Sequence, residues 1–201
     1  QVELVADATV AFARADELVE QGRTALHPFD NPNQIAGNGI VSLEIFEDCP
    51  DITDIFISIG GGGLIAGQIV ALKALKPSIR IWGVEIEGAP TMKTALDAGR
   101  VVNIKPVSIT ATLNSPFVGE DSLQLCRDHL EDLIIVTAQE AIVAQQNILE
   151  NDKIFPELAA SCTLAAADKL KGQFTPDSHV VLLMCGGNDG VADIVKHSML
   201  I

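Results

Sequence analysis

The chain has 201 residues, 48% of them hydrophobic and 20% charged, enough to bury one substantial core. Its 27 acidic residues outweigh 13 basic ones to give a formal charge of -14, and no basic cluster relieves that excess, so a polyphosphate backbone is repelled and nucleic-acid binding is excluded. No uninterrupted apolar run reaches the roughly 18 residues that a membrane helix needs. Nor does a basic segment followed by a hydrophobic one open the sequence, so a cytosolic protein is expected.

In chain order, the first predicted elements are a strand at Val2–Val5 and a helix at Thr9–Glu20. A helix at Pro32–Phe46 follows, its start marked by Asn31 ahead of a proline. The strand Ile55–Ile59, the helix Leu64–Leu75 and the strand Ile79–Glu85 come next. The remainder reads as the helix Glu120–His129, the strand Leu133–Val136, the helices Ala138–Glu150 and Glu157–Leu170, and the strand Val180–Met184. The strands are short and continuously apolar, the pattern of strands covered on both faces. Their alternation with helices predicts an α/β fold with a parallel sheet and helices on both sides. One strand and one helix before His27 are too little to bury a sheet, and a chain opening directly on a strand suggests that preceding sequence belongs to the same fold.

Cys49, Cys126, Cys162 and Cys185 are widely spread and form no C-x-x-C pair, so they read as reduced thiols. The first three are expected to be small core residues. Cys185 differs, because it ends a buried strand and opens the turn Cys185-Gly186-Gly187-Asn188.

The most informative stretch is Gly60-Gly61-Gly62-Gly63-Leu64, set between a buried strand and an apolar helix. Missing side chains leave consecutive backbone N–H groups free to converge on an anion, and the helix adds the positive end of its dipole. The stretch therefore predicts a phosphate cradle. Gly61-x-Gly63-x-x-Ala66 also satisfies a dinucleotide fingerprint, with Glu85 where a ribose-binding acid belongs, so an NAD-dependent oxidoreductase is a rival reading. A Walker loop is excluded because no Gly-Lys-Ser/Thr follows. In an open parallel sheet the glycine loop and the Cys185 turn both belong at the carboxyl edge, where ligands collect.

Five segments, His27 to Pro32 with Ile35 to Ile40, Gly60 to Leu64, Gly83 to Pro90, Lys153 to Glu157, and Cys185 to Asn188, occur in an order and spacing that resemble one family. This is the serine/threonine dehydratase (threonine ammonia-lyase) branch of the fold-type II pyridoxal-phosphate enzymes, which have a tryptophan synthase beta-like fold and include the serine racemases. The resemblance implies that Gly60, Gly61, Gly62, Gly63 and the N–H of Leu64 bind the phosphate of pyridoxal 5′-phosphate. It places Cys185 against the pyridine nitrogen and Glu157 near the ring, although an acid starting a helix also complements the dipole. A thiol does not stabilise a pyridinium as a carboxylate would, which suits elimination at the beta carbon of a small hydroxy amino acid such as threonine or serine, giving a 2-oxo acid and ammonia. Glu85, the carbonyl of Ala89 and Thr91 match a family cation site, but Thr91 stands where some members have aspartate. With that carboxylate lost, affinity for a divalent ion should fall, which leaves a monovalent ion or none as open as a divalent one, and Glu85 also reads as a plain strand-end acid.

The resemblance further implies that residues 1–26 are the remnant of a small domain and 27–201 the large cofactor-binding domain, in a homodimer or homotetramer. The family's Schiff-base lysine and its Ser-x-Gly-Asn-His carboxylate loop are absent from this chain. They are expected among roughly a hundred residues upstream, the size of a typical domain. The eight lysines of this chain read as solvated surface groups. Thr112 and Leu113 replace a family Asp-Gly, Asn38 replaces a glutamine and Leu158 a proline. These changes leave open a racemase, an eliminase for another beta-substituted amino acid, and a non-catalytic cofactor-binding relative.

Overall fold

The structure is a computed structural model that describes residues 2–6 and 8–200. Helices α1 (Ala8–Glu20) and α2 (Pro32–Asp48) precede β1 (Asp54–Ser58), α3 (Gly63–Leu75), β2 (Arg80–Ile86), α4 (Thr91–Ala98) and α5 (Glu120–His129). The chain continues through β3 (Asp132–Val136), α6 (Ala138–Asn151), α7 (Leu158–Leu170), β4 (Val180–Leu182) and α8 (Val191–Ser198). The strands form one parallel sheet in the order β3-β2-β1-β4.

Side chains alternate across a strand with period two, and the two central strands use both faces. Phe56, Trp82, Val84 and Ile86 enter a core shared with α6 and α7. Ile55, Ile57 and Ile81 enter a second core, with Ile65 and Ile69 of α3 and Leu123 of α5. Burial on both sides is why these strands read as unbroken apolar runs. At the amino-terminal edge of the sheet the fully buried Asp54 accepts hydrogen bonds from Trp82 Nε1 at 2.8 Å and Thr53 Oγ1 at 2.7 Å. It also pairs with the Arg80 guanidinium at 2.8 Å, so its charge is compensated where water is excluded.

Helix α2 is capped as expected. Asn31 Oδ1 accepts from the N–H groups of Asn33 and Gln34, while Pro32 fills the first position, where no donor is needed. Helix α2 crosses α3 in backbone contact, since a methyl group on Gly67 would lie 2.3 Å from the Ile35 carbonyl oxygen. Ser42 Oγ donates to Gln68 Oε1 within that crossing, and Gln68 Nε2 donates to the Asn38 carbonyl at 2.5 Å.

Several sequence expectations need correction. Val2–Val5 is not a strand, and Val2 and Leu4 are 86% and 95% exposed. A strand exists only as part of a ladder, and no described segment pairs with this one. Strand β4 ends at Leu182 rather than Met184, after which only Leu183 N–H still reaches Phe56 O. Cys126 and Cys162 are core residues, but Cys49 is half-buried at the end of α2. Helices α4 and α8 escape the periodicity reading because each spans only eight residues. Among the described residues no helix is long and apolar enough to cross a membrane.

Candidate active site

Because β4 lies beside β1, the segments leaving their carboxyl ends meet over the sheet edge. One segment is the glycine loop and the other is the Cys185 turn. Between them lies a cleft of about 410 Å³ bordered by Gly60, Gly61, Gly62, Gly63 and Leu64, by Cys185 and Glu157, and by Thr112 and Leu113. All the residues expected at the phosphate and ring sites thus line one cavity. A larger groove of about 580 Å³ between α2, α3 and α5 is almost wholly aliphatic and has no such convergence of polar groups.

The loop presents unpaired donors. Gly62 O accepts from Ala66 N–H, and Gly61 O accepts from Gly119 N–H at 3.1 Å. Among the described residues, however, no acceptor takes the N–H groups running from Gly60 through Ile65. Gly62 sits at φ +95° at the amino end of α3, a left-handed conformation that costs other residues free energy. Successive free amides at a helix amino terminus are the general device for holding an anion, so these residues fit a phosphate group.

Cys185 is an exposed residue, but its thiol faces enough protein to be pushed up to about 11, first by desolvation and then by the Glu157 carboxylate. It is a protonated, neutral hydrogen-bonding group at neutral pH. Buried Glu157 precedes α7 without capping it. Its carboxylate instead accepts from Thr112 Oγ1 at 3.3 Å and from Asn188 N–H at 3.3 Å, joining the 111–113 turn to the Cys185 turn. A methyl group on Gly186 would lie 2.8 Å from that carboxylate, so the second glycine turn admits the acid. The capping role falls to Asp189, whose Oδ2 accepts from Leu158 N–H and Gln145 Nε2, each at 2.8 Å.

Glu85, Ala89 and Thr91 are fully buried away from this cleft. Glu85 Oε1 accepts from Met92 N–H at 2.6 Å and Oε2 from Lys93 N–H at 2.9 Å, while Thr91 Oγ1 donates to Ser115 O. The carboxylate therefore serves the amino end of α4. Burial outweighs those bonds and raises Glu85 to about 7. No group of three or more His, Cys, Asp or Glu suited to a metal ion occurs among the described residues. None of the described lysines lines the cleft. Instead, Lys73 and Lys76 donate to main-chain carbonyls and Lys169 pairs with Glu140.

Asn38, expected among the loops that shape the pocket, lines the cleft, and so do Phe29 and Ser58, neither of which sequence reasoning assigned there. Phe29 and Asn38 lie within matched segments, which was a usable signal. Ser58 gave none, and its hydroxyl is spent on Ala159 O at 2.7 Å.

A family model described as pyridoxal-phosphate dependent enzyme matches residues 1–186. The chain belongs to that family. It is 35% identical over 193 residues to an L-threonine ammonia-lyase of Geobacter sulfurreducens, covering 94% of this chain and 46% of the relative. It is 35% identical over 173 residues to a serine racemase of Oryza sativa subsp. indica, covering 84% of this chain and 51% of the relative. This pyridoxal-phosphate family chain thus spans about half the length of these two relatives. Among solved structures, the processed threonine deaminase isoform 2 of Solanum lycopersicum superposes with a TM-score of 0.87 at 28% identity, covering 94% of this chain and 56% of that one. Maize serine racemase gives 0.86 at 31%, covering 97% and 62%. The parallel α/β architecture is therefore the fold-type II architecture of these enzymes.

Proposed function

We propose that this chain forms the cofactor-binding part of an ammonia-lyase that takes a small beta-hydroxy amino acid, threonine or serine, to a 2-oxo acid and ammonia. The observation that carries the reading is the convergence, in one cleft, of free amides from Gly60 to Ile65 with the Cys185 thiol. The Gly60 to Leu64 amides hold the phosphate of pyridoxal 5′-phosphate, and Cys185 meets the ring nitrogen. When bound, that cofactor supplies an electron sink that acidifies the alpha proton of the substrate. A protonated thiol brings no negative charge to the nitrogen, so the ring stays neutral and the sink restrained. Glu157 keeps the thiol's turn and the Thr112 turn at a fixed separation through its bonds to Asn188 and Thr112. Leu113 adds an apolar wall. Residues 1–26 belong to the second lobe in this reading, and the active assembly is a cytosolic homo-oligomer. A cation at Glu85 would share its oxygens with the α4 amides, so a monovalent ion or none is favoured.

The names of the relatives support a lyase and also motivate a second reading, a serine racemase. The full-length protein is incubated with pyridoxal 5′-phosphate and L-threonine or L-serine, and 2-oxo acid is followed by a coupled dehydrogenase. Steady release supports the lyase. D-serine formation without 2-oxo acid favours the racemase, and neither product sinks the enzymatic reading.

A further inference from the structure

We infer that Phe29 is a positioning residue for the glycine loop: its ring is the surface against which the phosphate-binding amides are set. The inference rests on the reading that this loop takes the cofactor phosphate. A methyl group on Gly61 would lie 2.2 Å from both Cγ and Cδ1 of Phe29. One on Gly63 would lie 2.7 Å from the Phe29 carbonyl oxygen and 2.8 Å from its Cα. Neither glycine has a positive φ, in contrast to Gly62. Backbone conformation therefore allows a side chain at 61 and 63, and Phe29 forbids it. Of the four glycines that looked like a concession to the ligand, Gly61 is a concession to this ring and Gly63 to the main chain that carries it.

The ring is itself fixed. His27 packs edge-on at 4.7 Å, Phe117 at 5.3 Å and Phe12 of α1 at 6.1 Å. His27 Nδ1 accepts from the N–H groups of Phe29 and Asp30 at 3.3 and 2.8 Å, which holds the main chain that carries the ring. Shortly after Phe117, Gly119 N–H reaches Gly61 O. Gly61 is thus held by a hydrogen bond at its carbonyl and by an aromatic ring at its Cα, and the amides of the loop are aimed before any ligand arrives. Preorganised donors bind an anion more tightly than donors ordered on binding.

The test uses the full-length protein with Gly61→Ala, Phe29→Ala, the double variant, and Phe29→Leu as a better-tolerated replacement. Dissociation constants are measured for pyridoxal 5′-phosphate and for pyridoxal, with thermal midpoints recorded alongside. In the wild type the phosphate ester should bind much more tightly than pyridoxal. Phe29→Ala and Phe29→Leu should erode that preference by about tenfold while leaving pyridoxal affinity in place, and Phe29→Tyr should restore it. Gly61→Ala should cost about tenfold in the wild type and far less beside Phe29→Ala, because its steric partner is gone. An unchanged phosphate preference in both Phe29 variants overturns the inference. So does a Gly61→Ala penalty that is the same in both backgrounds, since that glycine would then answer to the ligand. If the wild type shows no preference for the phosphate ester, the cofactor reading fails instead.

Discussion

Glu85 is 0% exposed, and its proton is held to about pH 7 in the folded protein against an ordinary value of 4.5. Between those values the folded state binds more protons than the unfolded chain, so this residue makes stability fall as pH rises through the window. Its favourable contribution is complete only below the lower value. At about 1.4 kcal/mol for each tenfold change in acidity, the loss across the window is about 3 kcal/mol, a large share of the roughly 5–15 kcal/mol that stabilises a typical domain. Many other carboxylates titrate in the same range, so the measurement is a difference. Urea unfolding of wild type and Glu85→Gln is followed at a series of pH values in chelator, and the variant's stability is subtracted from that of the wild type. The difference should fall by about 3 kcal/mol between pH 4.5 and 7 and then level. A flat difference would refute the burial argument. A rising one would show Glu85 held as its anion, as a bound cation would hold it.

Asp54→Ala removes the acceptor of Trp82 Nε1 and the partner of Arg80 from a fully buried site, and should cost about 3 kcal/mol in chemical denaturation. Asp54→Asn should cost less, because it keeps an acceptor for the indole. Gly62→Ala must adopt φ +95° and approach Ser122 Cβ to 2.7 Å, so it should destabilise by about 2 kcal/mol and weaken cofactor affinity together. The Cys185 thiol should alkylate slowly at pH 8, speeding up toward about pH 11, while Cys126 and Cys162, buried and raised to about 12, stay protected in the native protein. Peptide mapping after iodoacetamide treatment checks this, and rapid modification of Cys185 at neutral pH would contradict it.

Sequence by itself determined the alternation of elements and the parallel sheet, and it pointed to the cofactor class through the order and spacing of segments that resemble one family. Those properties are local or ordered along the chain: an apolar run buried on two faces, glycines followed by a helix, a thiol at a strand end. Gly60 to Leu64 and Cys185 were legible as residues of one cleft for that reason. Only the tertiary structure decided what each residue touches. It placed Glu157 on Thr112 and Asn188 rather than on its own helix, and it turned Glu85 toward α4, a helix that local signals did not announce. It also left Val2–Val5 without a ladder and set Phe29 on Gly61. Such contacts join residues far apart in the chain, and the free energy of a buried carboxylate or a packed ring depends on neighbours that folding brings together.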